Sequence, residues 1–157
     1  MKLVGIDPGL KGGVAIKNGE KIATFPMPLS DGGIDVGTIS GIIGPRAVVA
    51  IEKVHAMPKQ GVCSMFTFGV GFGKLLGMCQ VMGYGLHLVD PRTWKKIILP
   101  DTAKDKQAAI DFAVGRYGGD KLAKRKGYHD GIADALCILT WLDKLMEEVH
   151  ENYDRKG

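Results

Sequence analysis

Four carboxylates in this chain are spaced so that they can act together: Asp7, Glu52, Asp130 and Asp134. Asp7 closes the short apolar run Lys2 to Asp7, and Glu52 closes a second run, Ala47 to Glu52. Asp130 and Asp134 stand four residues apart in a stretch of helical period, which puts them on one face of a helix. Like charges at that spacing repel by roughly a few tenths of a kcal/mol when exposed. Burying them unpaired costs far more. No Lys or Arg lies in the first turns of that face, so the expected neutralising partner is a divalent cation. Oxygen-only ligands favour hard ions, Mg²⁺ or Mn²⁺. The chemistry such a set supports is metal-assisted hydrolysis.

Each acid also has an ordinary structural role open to it. Asp7 before Pro8-Gly9 can start a turn. Glu52 can pair with Lys53, and Asp130 can cap a helix. Asp134, inside a helical run of small residues, is the hardest to explain away. Two acids at strand ends and two on one helix face form a pattern that no single one of these roles accounts for. Asp90 is different: Asp90-Pro91 reads as an N-cap followed by Pro at the first helical position.

The elements that must position these residues follow from turn signals and periodicity. Strands are expected at Lys2 to Asp7, Gly13 to Lys17, Glu20 to Phe25, Ala47 to Glu52 and Tyr84 to Val89. Asn18-Gly19 is a strong hairpin signal between the second and third. Helices are expected over about Asp35 to Ile43, Val62 to Met82, 104–117 and 128–149. The first three strands make an antiparallel meander. The fourth, arriving by a crossover, fits beside the first and parallel to it, and the fifth extends the sheet. The expected fold class is therefore α/β, a five-stranded mixed sheet of order 3-2-1-4-5 flanked by helices. Its ligand edge lies at the carboxyl ends of the parallel strands, where Asp7 and Glu52 arrive side by side.

With 157 residues, no internal repeat and no linker, one domain spanning 1–157 is expected. The start of the chain lacks the apolar core of a secretion signal, and no uninterrupted apolar run looks long enough to span a bilayer. Cys63, Cys79 and Cys137 are odd in number, far apart and set in apolar stretches, which reads as buried, reduced thiols. Together these features point to the cytoplasm and away from a membrane. Net charge is +4. From Arg92 to Lys126 there are ten Lys or Arg against four Asp, a local surplus larger than that of the whole protein. Such a stretch suits a polyanion as well as it suits a solvated helical surface. Gly69, Gly71, Gly73 and Lys74 are no phosphate loop, because no strand precedes them and Leu75 stands where Ser or Thr is needed. Close helix packing, across a dimer or within the core, is the expected role of these glycines and of Phe66, Phe68 and Phe72.

Gly5-Ile6-Asp7-Pro8-Gly9, then Ile51-Glu52, then Asp130 with Ala133-Asp134-Ala135-Leu136, resemble the RuvC-type Holliday-junction resolvases of the RNase H-like superfamily. The resemblance runs from residue 3 to about 142. Glu52 to Pro58 with Gln60-Gly61 look like the bacteriophage branch. The resemblance implies an endonuclease that resolves four-way junctions by paired phosphodiester hydrolysis and acts as a homodimer. It implies two ions, Mg²⁺ or Mn²⁺, held by Asp7, Glu52, Asp130 and Asp134. It places basic residues near the scissile phosphate at Lys95 or Lys96 and at Lys106. Lys59, Lys95, Lys96, Lys104 and Lys106 are the candidate DNA contacts. The last two acids are four apart where the cellular members have three, with His129 adjacent, so either Asp130 or His129 completes the site. Two other readings stay open: a nuclease for flaps, forks or RNA–DNA hybrids, and a non-catalytic junction-binding protein. An actin-like sugar kinase would need a second domain for which the chain is too short.

Overall fold

The structure is a computed structural model that describes residues 1–53, 61–122, 127 and 129–155. The segment carrying His55, Met57 and Lys59, the run Lys124 to Lys126, and Tyr128 lie outside the described residues.

Strands β1 (Lys2–Asp7), β2 (Gly13–Asn18) and β3 (Lys21–Pro26) form the antiparallel meander. Gly19 turns the hairpin at a φ of 59°, the left-handed conformation that Asn-Gly supplies. The segment expected as plain loop holds two two-residue strands, β4 (Leu29–Ser30) and β5 (Gly33–Ile34), paired with each other. Helix α1 (Val36–Ile43) is capped by Asp35, whose carboxylate accepts from the Thr38 N–H at 3.1 Å. Strand β6 (Ala47–Glu52) runs parallel to β1, and β7 (Gly85–Val89) runs parallel to β6. The sheet order is β3-β2-β1-β6-β7, which is the expected 3-2-1-4-5 once the small hairpin is set aside.

Helices cover both faces. Alternation along β1 and β6 sends Val4, Ile6, Val49 and Ile51 to one side, where they pack with α1 and with Leu75, Met78 and Cys79 of α2 (Val62–Val81). Leu3, Ala15 and Ala50 face the other side, against α3 (Pro91–Ile98), α4 (Lys106–Tyr117) and α5 (His129–Asp154). By the same alternation Asp7 and Glu52 belong to the α3 and α5 side. The last helix runs five residues beyond the expected end.

Two glycines set how close α5 comes to β1. A Cβ on Gly5 would lie 2.4 Å from both the Ala135 carbonyl oxygen and the Leu139 nitrogen. A Cβ on Gly131 would lie 2.2 Å from the Lys11 carbonyl oxygen, where Gly131 bridges Gly12 in the β1–β2 turn. The obstacles are backbone and cannot rotate away. Gly5→Ala should therefore destabilise by about 1–3 kcal/mol or more and lift Asp134 away from Asp7. Chemical denaturation checks the first effect; an unchanged midpoint would show that α5 yields without cost.

Two expectations need correcting. Cys63 is exposed, while Cys79 and Cys137 are buried. Only the second half of α2, from Gly71 onward, is seated on the sheet, so the apolar neighbours of Cys63 do not enclose it. And α2, at 20 residues, is long and apolar enough by length and composition to cross a bilayer. Its Leu75, Met78 and Cys79 pack in the core, and its Lys74 amine donates to the Gly32 carbonyl at 2.6 Å.

Candidate active site

Ile6 pairs with Ile51 in the β1–β6 register, so the next residues along, Asp7 and Glu52, end neighbouring strands at the same edge. The β1–β2 turn folds back on Asp7, whose Oδ1 accepts from the Gly9 N–H at 3.2 Å. Helix α5 crosses this edge with its first turns, and the Gly5 and Gly131 contacts bring Asp134 close enough to feel Asp7, Glu52 and Asp130 electrostatically.

Burial pushes the Asp7 carboxyl up to about 6. The Gly9 N–H opposes that rise, the Glu52 charge adds to it, and Lys95 and Lys106 work against it. Asp134 is pushed up to about 7, by burial first and then by Asp7, with Lys95 opposing and Glu52 and Asp130 adding. Glu52 is also raised by burial, against the pull of a hydrogen bond from Trp94 and of Lys95. Three carboxyls raised chiefly by burial, with Glu52 adding to Asp7 and both of these adding to Asp134, are a sign of a site built for added positive charge.

Asp130 is placed differently. Its Oδ2 lies 2.7 Å from Lys106 Nζ, and its side chain is 42% exposed. The α5 face carries no cation of its own, but a lysine from α4 reaches across to Asp130 and partly neutralises that acid. Neither Asp130 as an N-cap nor Glu52 paired with Lys53 describes the observed arrangement. Asp130 lies inside the first turn of α5, which begins at His129, and Glu52 accepts from the indole of Trp94. His129 lies beside Asp130, partly buried.

Among the described residues, no three His, Cys, Asp or Glu side chains are grouped so that they could hold a metal ion as they stand. The donor chemistry still suits a divalent ion, since Asp7, Glu52 and Asp134 are hard oxygen donors and the charges of Asp7 and Glu52 both raise Asp134. Asp130 would join them on leaving Lys106.

The basic residues divide into two groups. Lys95 acts on Asp7, Glu52 and Asp134, so of the adjacent pair it is Lys95 that faces the acids. Lys95 also lines a surface depression of about 480 Å³ with Pro91, Arg92, Lys96 and Lys104. Lys104 is held there with a φ of 55°, a conformation that costs a non-glycine residue. Its N–H donates to Thr102 Oγ1 at 3.1 Å, and the Thr102 hydroxyl donates to the Leu99 carbonyl at 3.0 Å. Asp90 caps α3 as expected, accepting from the Arg92 N–H at 2.9 Å. Sequence reasoning passed over Arg92 and Trp94. The available signal was that cap: once Asp90 fixes the start of α3, Trp94 and Ile98 fall one turn apart on the inward face.

Asp7 and Asp134 both carry pKa values raised above those of an unfolded chain. A raised carboxyl stabilises the fold fully only below its unfolded value near 4, and that contribution is lost as pH climbs through the folded value. In chelator, Asp134→Asn should therefore be more stable than the parent at pH ~8, by on the order of 3 kcal/mol. The difference should shrink towards pH ~4. Thermal melts of both proteins across that range check this; parallel curves would mean that Asp134 is not a strained charge.

The fold matches solved structures of Thermus thermophilus RuvC. One match covers 87% of this chain and 92% of that one, with a TM-score of 0.57 and 18% identity. T. thermophilus RuvC in complex with Holliday junction substrate matches with the same coverage and identity and a TM-score of 0.59. The fold is thus RuvC-like, an RNase H-like α/β architecture. No protein-family model matches the chain, and no curated protein does.

Proposed function

We propose that this chain is a metal-dependent endonuclease that hydrolyses phosphodiester bonds in branched DNA, four-way junctions above all. The observation that carries the reading is that Asp7 and Glu52 end neighbouring strands and Asp134 feels the charge of both, with Lys95 and Lys106 acting on Asp7. Its support from outside is the RuvC-like fold, whose solved neighbour holds a Holliday junction. Bound Mg²⁺ or Mn²⁺, two per site, would supply an activated water and stabilise the leaving oxygen.

The chain's own residues do the rest. Asp7, at the end of the central strand, would hold the ions together with Glu52, Asp134 and Asp130. Lys95 offsets charge building on the scissile phosphate. Lys106, paired with Asp130, would be available to the same phosphate. Arg92, Lys96 and Lys104 take a neighbouring phosphate of the same strand in the depression they line, and Lys59 adds a further contact. The phage kinship and a cytoplasmic location remain part of this proposal, resting on the Glu52 to Gly61 pattern and on three free thiols.

A four-way junction presents two equivalent strands, so paired cleavage calls for two sites. We assign the second to another copy of the chain, docked through α2. That helix exposes Val62, Phe66, Val70 and Val81, and Gly69, Gly73 and Gly77 on the same stripe have open space where a Cβ would be. Phe72 packs against the core, which leaves Phe66, 74% exposed, for the interface. Sedimentation should find a dimer at micromolar concentration, and a monomer with and without junction DNA would refute this part.

The central test is cleavage of labelled four-way, forked, flapped and hybrid substrates with Mg²⁺, with Mn²⁺ and with chelator. Paired nicks across the junction, absent in chelator, are expected. Preference for forks or hybrids would favour the broader nuclease reading. Tight junction binding with no cleavage in either metal would favour a non-catalytic binder.

A further inference from the structure

We infer that Trp94 is a positioning residue for the metal site, which holds Glu52 as a one-oxygen ligand. This rests on the nuclease reading above and adds a residue to it. Trp94 is fully buried, the largest side chain in the structure with no exposure. Its indole Nε1 donates to Glu52 Oε2 at 2.7 Å. Burying an indole N–H without an acceptor is costly, so this bond holds the ring and the carboxylate to each other. Glu52 ends β6, and its backbone is fixed by pairing with Val89. What the strand leaves free is the rotation of the carboxylate, and the indole fixes that. With Oε2 accepting the indole N–H, Oε1 is the freer oxygen for an ion.

The same ring carries a second group. Lys95 Nζ lies 5.2 Å from its centroid, within range of a cation–π contact. Trp94 thus stands between an acid that would hold the metal and a lysine that offsets phosphate charge. It touches neither substrate nor ion itself and acts through both neighbours.

A one-oxygen glutamate has a consequence for metal choice. Mg²⁺ and Mn²⁺ suit compact octahedral sites in which a carboxylate offers one oxygen, whereas Ca²⁺ readily takes both oxygens of a carboxylate. A partner that ties up one oxygen favours the smaller ions. Loss of such outer hydrogen bonds typically costs 10–100-fold in metal affinity.

The test is direct metal binding by calorimetry on the full chain without DNA, using Mn²⁺ and Ca²⁺ in turn. Trp94→Phe keeps the ring and removes the N–H. It should weaken Mn²⁺ by about 10-fold or more and change Ca²⁺ by much less. In a Glu52→Gln background the same substitution should cause no further loss of Mn²⁺ affinity. Unchanged Mn²⁺ binding, equal losses for both ions, or a loss that adds to that of Glu52→Gln would each overturn the inference. Should Trp94→Phe fail to fold by circular dichroism, the unmodified protein still decides. Its Trp94 indole N–H resonance, told from that of Trp141 by a Trp141→Phe variant, should shift with Mg²⁺ along a saturation curve measured for Mg²⁺ by the same calorimetry. A resonance that ignores bound Mg²⁺ overturns the inference. A parent chain that binds no divalent ion at all would instead refute the proposed nuclease function, so the two failures are distinguishable.

Discussion

Asp7→Asn should reduce junction cleavage by on the order of 1000-fold while leaving DNA binding intact or tighter. Asp7 ends the strand at the middle of the sheet, with β2 on one side and β6 on the other. Its charge is felt both by Asp134 and by Lys106, and Glu52 adds to the rise that burial gives its own carboxyl. A ligand in that position serves any ion held between β6 and α5, and an amide is a far weaker ligand than a carboxylate for a hard cation. Binding has a separate origin. Arg92, Lys96 and Lys104 line their depression on α3 and the loop after it, and none of them depends on Asp7. Removing a negative charge from a surface that meets phosphates lowers repulsion. Nicking and gel-shift affinity on the same junction measure the two effects. Nicking at the parental rate would remove Asp7 from the active site.

The sheet and half of the site were legible because local signals carry them. Asn18-Gly19 declares its hairpin, the run ending at Ile51-Glu52 declares a buried strand, and the parity of β1 and β6 then puts Asp7 and Glu52 on one face. Asp90-Pro91 marked the start of α3 for the same reason: a cap is a contact between residues two or three apart. What escaped notice depends on contacts between distant segments. Lys106 reaches Asp130 from a different helix, and no periodicity within either helix predicts it. Trp94 meets Glu52 across 42 residues. Cys63 sits in apolar company yet is exposed, because α2 overhangs the sheet at its N-terminal end. The β4–β5 hairpin has two residues per strand, too few for alternation to register. In each case the sequence specifies the residue, but only the packing of one element on another specifies its environment.

The same distinction separates the two aspartates of α5, which the sequence presents as equals. Asp134 lies among Ala133, Ala135 and Cys137, all fully buried, and its raised carboxyl faces Asp7 and Glu52. Asp130 is more exposed and already holds Lys106. Asp134→Asn should therefore cost at least ~100-fold in the rate of the cleavage step. Asp130→Asn should cost less, because the ion loses a ligand while Lys106 is freed for the phosphate. For the same reason Asp130→Asn and Lys106→Gln should not be additive when combined, as expected for residues in direct contact. His129 precedes Asp130 by about 100° of helical rotation, so His129→Ala should have the smallest effect of the four. That effect should vary with pH if the imidazole moves a proton. Single-turnover cleavage in Mg²⁺ across about pH 6 to 9 orders the four variants. An inactive His129→Ala beside an active Asp130→Asn would make His129 the fourth site residue in place of Asp130. Losses that simply add for Asp130→Asn and Lys106→Gln would show that their ion pair has no part in the reaction.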